Sequence, residues 1–130
     1  DKCSVITGKS LEGMTNRLGM IQKVLSQLAS NGDGVTISSM CTVFAESEVI
    51  SLIGKVTSRE DIAYGVVESV AVKVAQLISQ LDGTNYFLTG GLCEDEYIIS
   101  RLSHALKAPV ESMPLARYAG AIGAALLSGE

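Results

Sequence analysis

Tryptophan is absent from this chain of 130 residues, and only one histidine, two prolines and two phenylalanines are present. The single histidine, His104, cannot build a histidine-rich zinc site, and no Cys-x-x-Cys or His-Glu-x-x-His motif occurs. The nucleophile elbow of hydrolases and the P-loop pattern Gly-x-x-x-x-Gly-Lys-Ser/Thr are also missing. The common zinc and hydrolase chemistries are therefore excluded, and we expect His104 to be a surface or packing residue.

Positive charge is limited as well. Ten Lys and Arg residues against fourteen Asp and Glu residues give a net charge of −4, whereas binding to phosphate backbones requires a basic face. The most apolar segment, residues 116–127, is shorter than a transmembrane helix and contains Arg117. No secretory signal is recognisable. We therefore expect no nucleic-acid partner, no membrane insertion and a cytoplasmic location.

Apolar residues make up 47% of the chain and charged residues 18%, which is typical of an ordered globular domain. In the second half, strand and helix patterns alternate, and this predicts an α/β domain with parallel strands. The predicted helices cover residues 7–20, 20–29, 42–53, 60–81, 95–106 and 115–127. The predicted strands cover residues 85–89 and 110–113, and residues 35–38 form a short strand or extended segment.

Cysteine is the most informative residue type in the chain. The three cysteines are an odd number, which argues against a closed disulfide framework. Cys3 and Cys41 each precede a helical pattern, and a helix N-terminus stabilises the thiolate that binds metal. Two thiolates are too few for an iron–sulfur cluster, which usually takes four, but two copies of the chain could share one. The alternative is that both are buried thiols, as we expect for Cys93.

Glycines mark two further candidate sites. Gly90 and Gly91 follow a predicted strand, where they could let the backbone approach a ligand or simply form a tight turn with positive φ. Gly120 and Gly123 lie in a helix of very small side chains, which indicates close helix packing or close approach of a nucleotide.

Four segments, in the same order along the chain, resemble one family: the ATP-dependent activators of 2-hydroxyacyl-CoA dehydratases and the ATPase subunits of benzoyl-CoA reductases. Residues 1–11 are similar to its Asp-Lys-Cys-Ala-Ala-Gly-Thr-Gly motif. Residues 37–51 match its Ile-Ser-Ser-x-Cys-Thr-Val-Phe-Ala-Glu-Ser-Glu signature. Residues 89–93 correspond to Thr-Gly-Gly-Val-Ala, and residues 114–126 to Pro-Leu-Ala-Gln-Tyr-x-Gly-Ala-Leu-Gly-Ala-Ala-Leu.

The resemblance implies the actin-like ATPase fold shared with sugar kinases and the 70-kDa heat-shock chaperones, in which two α/β domains enclose ATP. It implies a homodimer with one [4Fe-4S] cluster, ligated by Cys3 and Cys41 of each copy. It also implies that Gly90 and Gly91 form the adenosine-binding turn, and that Gly120 and Gly123 belong to the hinge helix. The implied function is ATP-driven transfer of a low-potential electron to a dehydratase or reductase partner.

Residues 1–130 are interpreted as the C-terminal domain of such an ATPase, because the family's phosphate-binding motifs are not among them. By itself this chain should therefore not hydrolyse ATP with Mg²⁺. The sequence departs from the family pattern at Ile6, where glycine is usual, and at Asp95, where asparagine is usual. Two other functions remain open: a small-molecule kinase of the same fold, which would have no use for paired cysteines, and a non-catalytic oligomerisation or regulatory domain.

Overall fold

The structure is a computed structural model that describes residues 22–38, 42–81 and 83–129. Its elements follow in the order α1 (Gln22–Ala29), α2 (Thr42–Gly54), α3 (Arg59–Ile78), β1 (Tyr86–Phe87), α4 (Glu96–Leu106), β2 (Val110–Glu111), a 3-10 helix (Ala116–Tyr118) and α5 (Ala119–Ser128). The helix predicted over residues 7–20 lies outside the described residues. The other predicted helices are confirmed, with ends shifted by a few residues.

A single apolar core joins α1, α3 and α4. Leu25 of α1 is fully buried, as are Ile62 and Val66 of α3. Helix α4 adds Ile98 and Leu102 to the same cluster, and α2 adds Ala45 and Val49. Burying one such side chain stabilises a fold by about 1.5–3 kcal/mol. The core therefore holds these helices together, and the position of α4 depends on its packing against α1 and α3.

Helix α3 is the longest of the described helices, with 20 residues. It begins at the predicted N-cap Ser58, whose hydroxyl oxygen accepts a hydrogen bond from the Asp61 N–H at 3.2 Å. The Asp61 carboxylate also accepts a hydrogen bond from the Asp33 N–H at 3.1 Å. One acidic residue thus joins the start of α3 to the loop that leaves α1. The helix ends at Ile78, before Leu81, which is exposed.

The loop after α1 passes very close to the start of α3. A Cβ atom built on Gly32 would lie 2.0 Å from the carbonyl oxygen of Glu60, so only glycine fits there. Residues 35–38, predicted as a short strand or extended segment, have no regular secondary structure and pair with no strand in the described part of the chain. Val35 packs against α3 at Gly65, where an added Cβ would lie 2.7 Å from Val35 Cγ1.

The two strands pair in parallel, with Tyr86 opposite Val110 and Phe87 opposite Glu111. This pairing confirms the predicted α/β class. The prediction of a buried five-residue strand is wrong, however, because β1 has two residues and Phe87 is 51% exposed. Within the described residues β1 hydrogen-bonds only to β2, so its other edge has no neighbour to bury it.

Helix α5 is built from small and apolar residues, yet none of its side chains is buried. The predicted helix over residues 115–127 begins as the 3-10 helix, after Leu115 adopts a left-handed φ of 70°. Ile122 is 43% exposed and Leu126 is 72% exposed. This apolar surface is of the kind that proteins cover with another element. Among the residues described, no helix is both long enough and apolar enough to cross a membrane.

The close approach at Gly32 predicts a large effect of a very small substitution. Gly32→Ala should lower the free energy of unfolding by about 2–3 kcal/mol, because the new methyl group overlaps the Glu60 backbone and forces the loop away from α3. Gly83→Ala is the control, since an added Cβ there meets nothing within 4 Å. Urea unfolding midpoints provide the measurement. Equal midpoints for the two variants would contradict the loop geometry.

Candidate functional site

The glycine turn lies directly after β1 and leads into α4. Gly90 has a φ of +92°, a conformation that residues with a side chain rarely adopt. Its carbonyl oxygen accepts a hydrogen bond from the Cys93 N–H at 3.2 Å, and the Leu92 carbonyl accepts one from the Asp95 N–H at 3.2 Å. The need for glycine at position 90 is therefore conformational, and Gly91 has no such constraint.

Two contacts fix this turn against the segment that precedes α5. The Gly90 N–H donates to the Ala116 carbonyl at 3.1 Å. At the surface, the Arg117 guanidinium lies 3.4 Å from the Glu94 carboxylate. A Cβ on Gly90 or Gly91 would meet nothing within 4 Å, so the outer side of the turn is open. The arrangement is a hydrogen-bonded backbone turn whose exposed side is accessible to a ligand.

Gly120 lies near the start of α5, one turn of helix after Ala116, so the fold brings the two predicted glycine pairs onto adjoining segments. A Cβ added to Gly120 or to Gly123 would meet no atom within 4 Å. The close helix packing expected for this segment is therefore not found among the described residues. These glycines face open space, which a ligand or another part of the protein can occupy.

Asp95, which stands where the family pattern has asparagine, has a structural role in this fold. It is the N-cap of α4, and its Oδ1 accepts the Ile98 N–H at 3.2 Å. Its Oδ2 accepts a hydrogen bond from the Ser26 hydroxyl of α1. An acidic residue three positions before Ile98 at a helix start is a capping signal that could have predicted the first bond. The second depends on tertiary packing.

The cysteines divide into two groups. Cys93 is 4% exposed and forms no disulfide, which confirms the predicted small buried thiol. Cys3 and Cys41 lie outside the described residues, so their role as ligands remains a prediction. Helix α2 begins at Thr42, immediately after Cys41, and this confirms the expected helix at that point. Residues 22–38, 42–81 and 83–129 contain no group of three or more His, Cys, Asp or Glu side chains that could hold a metal ion.

A partly buried ion pair joins α3 and α4, and sequence reasoning missed it. Glu68 accepts a hydrogen bond from the Arg101 guanidinium, and this bond raises the pKa of Arg101. Burial raises the pKa of the neighbouring Tyr97 phenol, whose hydroxyl donates a hydrogen bond to the Ala29 carbonyl at 3.3 Å. On its other side Glu68 lines a groove of about 290 Å³ together with Lys73. Residues far apart in sequence form this group, so no local pattern predicts it.

Residues 1–128 match the BadF/BadG/BcrA/BcrD ATPase family. The chain is 41% identical to the (R)-2-hydroxyglutaryl-CoA dehydratase activating ATPase of Acidaminococcus fermentans, over 97% of this chain and 49% of that protein. It is 34% identical to the 2-hydroxyisocaproyl-CoA dehydratase activator of Clostridioides difficile, over 97% of this chain and 48% of that protein. It is also 32% identical to a benzoyl-CoA reductase subunit of Thauera aromatica, over 96% of this chain and 47% of that protein.

Solved structures give the same result. The crystal structure of the Acidaminococcus fermentans dehydratase component A superposes with a TM-score of 0.83 at 38% identity, covering 92% of this chain and 47% of that chain. The Clostridium difficile activator with bound ADPNP superposes with a TM-score of 0.82 at 32% identity, covering 92% and 46%. The chain spans about half the length of these relatives. Its fold is the actin-like ATPase fold of these activators, and the chain belongs to the BadF/BadG/BcrA/BcrD ATPase family.

Proposed function

We propose that this chain is the C-terminal domain of an ATP-driven activator, which transfers a low-potential electron to a 2-hydroxyacyl-CoA dehydratase or a benzoyl-CoA reductase-type partner. The observation that carries the proposal is the family match over residues 1–128. Two of the relatives are named as a dehydratase-activating ATPase and a dehydratase activator. These names favour an activator over a sugar kinase of the same fold.

The glycine turn is the proposed adenosine side of the nucleotide site. Its backbone is held by the hydrogen bond from Gly90 to Ala116, while its outer side is open. A turn without side chains lets a flat purine or a ribose pack directly on the backbone. A relative of the same fold was crystallised with ADPNP, which supports a nucleotide as the ligand. The phosphates and Mg²⁺ would be held by residues of the whole protein outside this chain.

The proposed metal centre uses Cys3 and Cys41 of each of two copies. The donor set fits a [4Fe-4S] cluster only in a dimer, because one copy supplies two of the usual four thiolates. Helix α2 starts at Thr42, the residue after Cys41 in the sequence, and the positive end of a helix dipole favours a thiolate at such a position. When bound, such a cluster supplies one-electron chemistry at low potential. In this proposal the chain holds the cluster between two copies, where a movement of the domains can change the surroundings of the cluster.

The uncovered apolar surface fits a chain that is one half of a two-domain ATPase. Phe87 of β1, together with Ile122 and Leu126 of α5, is exposed in the described part of the chain. A two-stranded sheet is too small to be stable by itself. We propose that the other half of the ATPase adds strands beside β1 and packs on α5. Gly120 and Gly123 would then lie between the two domains, where their lack of side chains permits the domains to move.

The two glycines of the turn allow the nucleotide assignment to be tested separately from folding. Gly91→Ala should weaken binding of ADPNP by the full-length protein about tenfold, because the added methyl group occupies the side where the adenosine packs. It should leave the free energy of unfolding unchanged. Gly90→Ala should in addition cost about 1–2 kcal/mol of stability, because alanine must adopt a φ of +92°.

Isothermal titration calorimetry and urea unfolding measure these two effects, and Gly83→Ala serves as the control for both. Normal ADPNP affinity of a folded Gly91→Ala variant would show that the turn does not contact the nucleotide.

The ligand assignment predicts a clear division among the three cysteines. Cys3→Ala or Cys41→Ala should abolish cluster binding, because a ligand of the shared site is lost from each copy. Cys93→Ala should retain it, because Cys93 is a buried thiol that the proposed site does not use. The measurement is iron and sulfide content per dimer of the full-length protein after anaerobic reconstitution, where about four irons are expected in wild type and in Cys93→Ala. Equal iron retention by all three variants would refute the assignment.

A further inference from the structure

We propose that the conformation of α1 responds to nucleotide binding through two hydrogen bonds, Ser26–Asp95 and Tyr97–Ala29. These bonds join α1 to α4, the helix that follows the glycine turn. Both bonds connect α1 with the first residues of α4. Ser26 and Tyr97 are thus positioning residues that act through backbone elements and do not touch the nucleotide. The inference rests on the proposed adenosine site at Gly90 and Gly91, and it adds a route from that site into the core.

The first bond connects α1 to the end of the glycine turn itself. Asp95 is the residue where the turn ends and α4 begins, and one oxygen of its carboxylate caps the helix at the Ile98 N–H, 3.2 Å away. The other oxygen accepts the hydroxyl hydrogen of Ser26. Ser26 is only 9% exposed, so water competes little for this bond. Any displacement of Asp95 must therefore either move α1 or break a nearly buried hydrogen bond.

The second bond lies one helical turn further along α1. The Tyr97 hydroxyl donates to the Ala29 carbonyl oxygen at 3.3 Å. Ala29 is fully buried and ends the helix, and its carbonyl also accepts the Gly32 N–H at 3.2 Å, so the phenol fills the second acceptor position of that oxygen. Two bonds spaced by one turn fix both the position and the rotation of α1 relative to α4.

The turn between the proposed nucleotide site and Asp95 is short and internally bonded. The Cys93 N–H donates to Gly90, and the Asp95 N–H donates to Leu92, both at 3.2 Å. Because these two hydrogen bonds overlap along the turn, a shift of Gly90 on nucleotide binding would reach Asp95. The described contacts thus connect the proposed adenosine site with the buried residues of α1.

Hydrogen exchange of the full-length protein, measured by mass spectrometry with and without ADPNP and Mg²⁺, tests the link without requiring a cluster. In wild type, ADPNP should slow exchange both in residues 90–97 and in residues 22–29. The expected slowing in α1 is roughly three- to tenfold, which corresponds to strengthening one hydrogen bond. In Ser26→Ala and in Tyr97→Phe, residues 90–97 should still respond while the response of residues 22–29 is reduced, and in the double variant it should be lost.

Three matched variants separate this link from general destabilisation. Ser30→Ala removes a hydroxyl that bonds to the nearby Gln27 carbonyl, and Tyr86→Phe removes a phenol that bonds to the Gly83 carbonyl. Both should respond like wild type. Asp95→Asn should also retain the response, because an amide can accept the Ile98 N–H and donate to the Ser26 hydroxyl.

Each remaining outcome overturns the inference in a distinguishable way. If residues 90–97 respond in wild type but residues 22–29 do not, the nucleotide site stands and the link is refuted. If residues 22–29 respond equally in wild type and in the folded double variant, the coupling uses other contacts and the assignment to these two bonds is refuted. If ADPNP binds without any change in residues 90–97, the proposed adenosine site is itself refuted and the link falls with it.

Discussion

The geometry of the described part of this chain depends first on how α3 packs against α1 and α4. The buried side chains Leu25 of α1, Ile62 of α3 and Ile98 of α4 remove all three helices from water together, and burying one such side chain stabilises a fold by about 1.5–3 kcal/mol. The packing fixes where α4 begins, and α4 begins where the glycine turn ends. The geometry of the candidate site is therefore set by the apolar core: moving α4 would move the turn.

Helices α1, α3 and α4 were predictable because their apolar residues recur at a spacing that identifies one buried face. Helix α5 has no buried side chain, and its small residues alone predicted it. The N-cap Ser58 and the parallel order of the strands were predicted for similar local reasons. The strand around Phe87 was predicted too long and too buried, since a run of apolar residues does not tell whether a second neighbouring strand is present. Whether a residue is buried depends on neighbours that, within the described residues, β1 lacks on one edge.

The candidate site shows the same division between local and distant information. The positive φ of Gly90 was predictable, because two glycines follow a strand at this point. The burial of Cys93 was predictable too, because free cysteines are often buried. The second contact of Asp95 could not be inferred, because it joins residues 69 positions apart through Ser26. Asp95 differs from the family pattern, yet both of its carboxylate oxygens are used in the fold. The departure is thus compatible with an intact turn, since aspartate caps a helix as well as asparagine does.

Several exposed features of the described residues are ones for which we propose a function. Gly91, Gly120 and Gly123 face open space, and no side chain of α5 is buried among the described residues. The packed helices α1, α3 and α4 hold these features in place, and the contacts of α1 with α4 carry the proposed link to the nucleotide site. A domain arranged in this way has no complete active site among its described residues. Its proposed chemistry requires a nucleotide, a second domain and a second copy, so that separate units supply the parts of the complete site. An ATPase that must convert domain closure into a change at a distant centre needs this separation, because a site contained within one rigid core could not report on movement between domains.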